Sequence, residues 1–89
     1  MRVYMRIKGR VQGVGFRFFV SEAANKLPVT GWVRNRTDGG VEAEAQGGIE
    51  LIHALLKKIE SGPPGARVDK VTSEKIPDRS DETGFEIRA

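Results

Sequence analysis

The chain opens on a strict alternation in which Val3, Met5 and Ile7 are apolar while Tyr4, Arg6 and Lys8 are polar. A period of two predicts a strand with one buried and one wet face. After a glycine-bearing stretch from Gly9 to Gly15 the period changes. Phe16, Phe19, Val20, Ala23, Ala24 and Leu27 recur at helical spacing and form one apolar stripe, and Pro28 stops the helix. Residues 29–36 read as a second strand. Asp38-Gly39 follows as a two-residue hairpin turn, in which the glycine takes the positive φ such turns need. Val41, Ala43 and Ala45 then alternate with Glu42, Glu44 and Gln46, a third strand whose carboxylates lie along a solvated face. Gly47-Gly48 ends it.

Ile52, Leu55, Leu56 and Ile59 define a second amphipathic helix. Glu50 sits in its first turn and Lys57-Lys58 near its last, each sign matching the helix dipole. Gly62-Pro63-Pro64 terminates it. Val68 and Val71 open a fourth strand, with a spacing that breaks alternation and calls for a bulge or a change of register. Residues 77–84 form a polar turn whose Asp78, Asp81 and Glu82 read as solvated charges, and Phe85 with Ile87 mark a last short strand.

The order β-α-β-β-α-β plus a terminal strand predicts an α+β fold. It is the ferredoxin-like sandwich, with two helices on one face of a mainly antiparallel sheet. In that topology strands one and two run parallel with strand three between them, joined by a right-handed crossover. The loop leaving strand one and the end of strand two then emerge at the same end of the sheet. Gln12 to Arg17 and Asn35 become neighbours, although about twenty residues of chain separate them.

Composition narrows the setting. Eighty-nine residues make one domain, 1–89, with a hydrophobic fraction of 38% and a charged fraction of 30%. No apolar run reaches the ~20 residues that span a bilayer, and there is no secretory h-region. With no cysteine, disulfides and thiolate chemistry are excluded, and the chain reads as cytoplasmic. A net charge of +3 arises from 15 basic and 12 acidic residues without a block of like charge, a poor match for a nucleic-acid binder.

Two segments carry candidate chemistry. In Gly9-Arg10-Val11-Gln12-Gly13-Val14-Gly15-Phe16-Arg17, glycines at 13 and 15 let the backbone curl so that successive amides point into one concavity beside a helix start. Such a nest suits a phosphate or carboxylate, and Arg17 adds a planar cationic fork. A tight turn with a solvated arginine explains the same residues. The stretch is neither a Walker loop, lacking G-K-[ST], nor a dinucleotide fingerprint, since Phe18 replaces the third glycine. In Gly31-Trp32-Val33-Arg34-Asn35-Arg36-Thr37-Asp38-Gly39-Gly40, Asn35 can donate and accept at once, which suits holding a water in line for attack. Ordinary turn chemistry also explains it. Trp32 reads as packing, and Arg10, Arg34 and Arg36 add positive potential at this end. His53, the only histidine, reads as structural, so no Ser-His or Cys-His dyad and no zinc site is available.

Taken together, the two segments resemble the paired signatures of the acylphosphatase family, at the family's separation and across essentially the whole chain. The resemblance implies hydrolysis of small acyl phosphates to a carboxylate and inorganic phosphate, without metal or organic cofactor. Arg17 then corresponds to the phosphate-binding catalytic arginine and Asn35 to the water-positioning asparagine. The amides of Gln12, Gly13, Val14, Gly15, Phe16 and Arg17 correspond to the phosphate cradle. Inorganic phosphate is expected as product and competitive inhibitor, the chain as a monomer, and neither nucleic acid nor membrane as a partner. Pro28, and a C-terminus that lacks an aromatic residue, depart from the family pattern outside both signatures. Two other readings stay open: a phosphate-binding module without turnover, and an RNA-binding domain of the same element order. The second lacks the stacking aromatics it needs on strands one and three.

Overall fold

The computed structural model describes residues 1–89. The elements are β1 (Arg2–Arg10), α1 (Phe16–Asn25), β2 (Thr30–Asn35), β3 (Val41–Gln46), α2 (Ile49–Ser61), β4 (Arg67–Ile76) and β5 (Phe85–Ile87). They form one five-stranded sheet in the order β4-β1-β3-β2-β5, antiparallel except for the β2–β5 pair. Because β3 is antiparallel to both β1 and β2, those two run parallel, as the expected topology requires. No helix is long and apolar enough to cross a membrane.

Val3, Met5 and Ile7 of β1, Val33 of β2, and Val41, Ala43 and Ala45 of β3 supply one side of a 16-residue apolar cluster. Phe16, Val20 and Ala24 of α1 and Ile52, Leu55 and Ile59 of α2 supply the other. Fully burying such a side chain is worth roughly 1.5–3 kcal/mol, so this layer holds the helices to the sheet. α1 ends at Asn25, three residues before Pro28, and the Leu27 amide closes a last turn onto the Ala24 carbonyl. His53 is exposed on α2.

The β2–β3 connection differs from the two-residue turn expected at Asp38-Gly39. Arg36 and Gly40 continue the ladder, the Arg36 amide donating to the Gly40 carbonyl at 2.8 Å, which leaves Thr37, Asp38 and Gly39 as a three-residue loop. A turn over residues 36–39 is followed by Gly39 at φ 94, an arrangement that lengthens the loop by one residue.

The irregular spacing of Val68 and Val71 does mark a bulge. Lys8 pairs with Lys70 but Gly9 with Val68, so Asp69 is the extra residue and both valines pack toward the core. β1 thereby runs on through Gly9, where the β4 backbone comes so near that a Cβ would lie 2.0 Å from the Arg67 carbonyl oxygen. Gly9 also has φ 133. Gly9→Ala is expected to cost roughly 3 kcal/mol, at the upper end of ordinary substitutions, because neither the backbone angle nor the contact can be relieved cheaply. Urea unfolding measures this, and a midpoint unchanged from the natural protein would contradict it.

The sheet's other face is not the solvated one expected from Glu42 and Glu44. Arg2 is 0% exposed and Glu42 only 7%. Arg2 pairs with Glu44 at 2.8 Å and Glu82 at 2.6 Å, while Glu42 accepts from the Tyr4 hydroxyl and from Arg34 and Arg36. Glu82 is therefore a structural partner and not a free surface charge. Arg2 is covered because residues 77–84 return to this end of the face, pinned by two hydrogen bonds between the Gln46 side chain and the Arg79 backbone, whereas Glu42 is enclosed by Tyr4, Arg34 and Arg36. Burial alone would raise the Glu42 carboxyl, but the Tyr4 hydroxyl and two guanidiniums outweigh it and hold it below the usual carboxylate range.

Candidate active site

β1 ends at Arg10, and the chain turns through Gly13 at φ 75 and Gly15 at φ 74 into α1. Added Cβ atoms at these glycines would meet nothing within 4 Å, so backbone conformation, not crowding, is what calls for glycine here. Gly15 caps the helix without a side-chain hydrogen bond. None of the amides from Gly13 through Phe18 makes a well-formed hydrogen bond to the protein. Helix α1 therefore presents a set of unpaired donors at its positive end.

Beside this turn lies a hollow of about 220 Å³, lined by Val11, Gly13, Gly15, Phe16, Arg17, Phe18, Asn35 and Ile87. It is smaller than the roughly 300–1,000 Å³ of drug-sized sites and suits a small molecule. The topology explains how Asn35 reaches it. Gly31, Val33 and Asn35 share the helix-facing side of β2, and the strand's C-terminal end meets the N-terminus of α1. Trp32, Arg34 and Arg36 point to the opposite face.

Arg17 is half-buried and is the only charged residue lining the hollow. Its Nη1 donates to the Arg88 carbonyl at 3.1 Å. The Arg88 amide in turn donates to the Val33 carbonyl of β2 at 2.8 Å. A short relay of backbone groups thus ties the guanidinium to the strand that carries Asn35. Only one of the five Arg17 N–H donors is used, leaving the rest of the fork free. The Asn35 carboxamide is half-buried and makes no hydrogen bond within the protein. No carboxylate lines the hollow.

Of the residues expected at a phosphate cradle, Gly13, Gly15, Phe16 and Arg17 line the hollow, as does Asn35, expected to position water, whereas Gln12 and Val14 do not. Val14 leans on the core. The Gln12 carboxamide turns away and donates to the Arg36 carbonyl at 2.7 Å and the Gly40 carbonyl at 2.8 Å. Those two carbonyls belong to the last pair of the β2–β3 ladder, so Gln12 locks the loop to the strand end one residue beyond Asn35. Arg34 and Arg36 do not add potential to the hollow, since Glu42 and Asp38 neutralise them on the far face. Trp32 is likewise distant, stacked between the Arg34 and Arg88 guanidiniums at 5.0 and 4.9 Å from the ring centre. Arg10 is exposed.

Two residues that line the hollow, Phe18 and Ile87, and one that braces Arg17 from outside it, Arg88, were not among the expected site residues. Phe18 had a legible signal, because it falls off the apolar stripe of α1 and an apolar residue there asks for another reason. Ile87 gave only a strand pattern. Arg88 acts through its carbonyl, which no residue type announces.

The acylphosphatase family model matches residues 3–87. An acylphosphatase of Salinibacter ruber is 45% identical over 98% of this chain and 92% of its own length. The crystal structure of acylphosphatase from Bacillus subtilis superposes with a TM-score of 0.94 at 33% identity, covering 99% of this chain and 98% of that one. An acylphosphatase structure from Coxiella burnetii gives 0.91 at 38% identity, covering 98% and 90%. Full-length agreement in sequence and in backbone, with both signature segments brought to one hollow, leaves a single conclusion: this chain belongs to the acylphosphatase family.

Proposed function

We propose that this acylphosphatase binds the phosphoryl group of a small acyl phosphate between Arg17 and the amides of residues 12–17, and that Asn35 aims the attacking water. The supporting observation is that Arg17 and Asn35 line one hollow that contains no carboxylate. A dianion entering it meets one guanidinium and a row of unpaired amides, and hydrogen bonds to charged groups are worth ~1.5–3 kcal/mol each. The water oxygen attacks phosphorus opposite the acyl oxygen, the P–O bond to the acyl group breaks, and the carboxylate departs with the bonding electrons. The water's proton passes to a phosphoryl oxygen or to solvent, because no titratable base stands in the hollow. A carboxylate is a good leaving group, so no general acid is required. Positioning and charge stabilisation carry the reaction, as in phosphoryl transfer generally.

The site is complete within one chain, which supports action as a monomer, and the cysteine-free composition supports a cytoplasmic setting. Phosphate release from acetyl phosphate tests the reading directly and separates hydrolysis from binding without turnover. Inorganic phosphate is expected to raise KM for acetyl phosphate and leave kcat unchanged, since product and substrate share the cradle. Inhibition that lowers kcat at constant KM would place phosphate elsewhere.

A further inference from the structure

Three large apolar side chains remain exposed on this protein: Phe18 at 64%, Ile49 at 57% and Ile87 at 44%. Phe18 and Ile87 both stand on the hollow that holds Arg17 and Asn35, and Ile49 does not. Folding does not account for the first two. Phe18 lies outside the buried stripe of α1, and neither it nor Ile87 belongs to the core cluster. The phosphate does not account for them either, because its oxygens call for amides and a guanidinium. What remains of an acyl phosphate, once the phosphate is placed, is its acyl substituent.

We propose that Phe18 and Ile87 form an apolar lip that receives the acyl substituent. The lip makes the enzyme select uncharged aromatic or longer aliphatic acyl phosphates over acetyl phosphate. This inference rests on the proposed function above and extends it from the phosphate to the acyl half of the substrate. The two residues come from different elements, Phe18 from the first turn of α1 and Ile87 from the end of β5. A larger apolar acyl group offers more surface to cover against these side chains than a methyl group does. Arg17 is committed to the phosphate and no second cation lines the hollow, so an acyl group carrying its own carboxylate gains nothing there.

The test measures kcat/KM for acetyl, butyryl, benzoyl and succinyl phosphate in the natural protein and in Phe18→Ser, Ile87→Ser and Ile49→Ser. Comparing one compound across variants cancels its intrinsic reactivity. Selectivity for butyryl and benzoyl over acetyl phosphate is expected at about tenfold, the low end for hydrophobic discrimination in a pocket. Succinyl phosphate is expected to fare no better than acetyl phosphate. Phe18→Ser and Ile87→Ser should each reduce the selectivity several-fold, chiefly through KM, and Ile49→Ser should leave it unchanged. Both lip residues are exposed, so their replacement spares the core. If acetyl phosphate is hydrolysed but neither lip variant alters the selectivity, or if succinyl phosphate outranks butyryl phosphate, the lip is refuted while the hydrolase reading stands. If none of the four compounds is hydrolysed, both fall.

Discussion

Arg17→Ala is expected to lower acetyl phosphate turnover by about 10³-fold or more, the scale set by phosphate-clamping arginines in other phosphoryl-transfer sites. The reason is the solitude of this guanidinium. No other cation lines the hollow, and Arg34 and Arg36 are occupied by carboxylates on the opposite face of the sheet. Nothing nearby can substitute. Charge building on the phosphoryl oxygens as the P–O bond lengthens then meets only the amides. Because ground state and transition state are both anionic, KM should rise as well as kcat fall. Arg17→Lys should recover part of the loss, since an ammonium restores the charge without the planar fork. The alanine variant also releases the Arg88 carbonyl, so its far-UV spectrum and unfolding midpoint should be recorded alongside the kinetics. Activity of the folded Arg17→Ala protein within tenfold of the natural level would falsify the assignment.

Asn35→Ala should cost roughly 10²–10³ in kcat, the scale for deleting one preorganised hydrogen-bonding group. Here KM is expected to change little, because the carboxamide addresses the water and the phosphate is held by other groups. That split between kcat and KM separates the two roles. A structural effect is easily told apart, since Asn35 makes no side-chain hydrogen bond within the protein and its removal breaks none. Asn35→Asp tests the electrostatics of the hollow. It keeps the size but introduces a carboxylate where none exists, and a repelled dianion should appear as a raised KM. Equal losses in kcat/KM carried by KM alone for Asn35→Ala would make Asn35 a phosphate ligand and leave the water without a guide.

Much of this protein was legible along the chain because local physics wrote it there. Val3, Met5 and Ile7 must alternate to cover one face of a strand, and Phe16, Val20 and Ala24 must recur at helical spacing to meet them. Even the bulge at Asp69 left a trace, as two valines that could share a face only if one residue were skipped. The signature segments were readable because glycine is demanded by positive φ at Gly13 and Gly15. The hairpin length was not readable, since Asp-Gly serves a three-residue loop with a glycine after the turn as well as a two-residue one.

Along its length, then, the chain determined the order and character of its elements, the curled glycine loop, and the candidate pairing of a guanidinium with a carboxamide. Only tertiary structure decided which charges are free. Glu42, Glu44 and Glu82 look alike in a sequence. Yet Glu44 and Glu82 enclose Arg2, Glu42 takes up Arg34 and Arg36, and Arg17 is left as the one charge facing the hollow. The same holds for Gln12, whose carboxamide locks the loop to the hairpin, and for Arg88, whose carbonyl steadies the guanidinium. Local periodicity records which way a side chain points from its own backbone. What covers or pairs with that side chain depends on segments far away in the chain, and that is settled only when they pack.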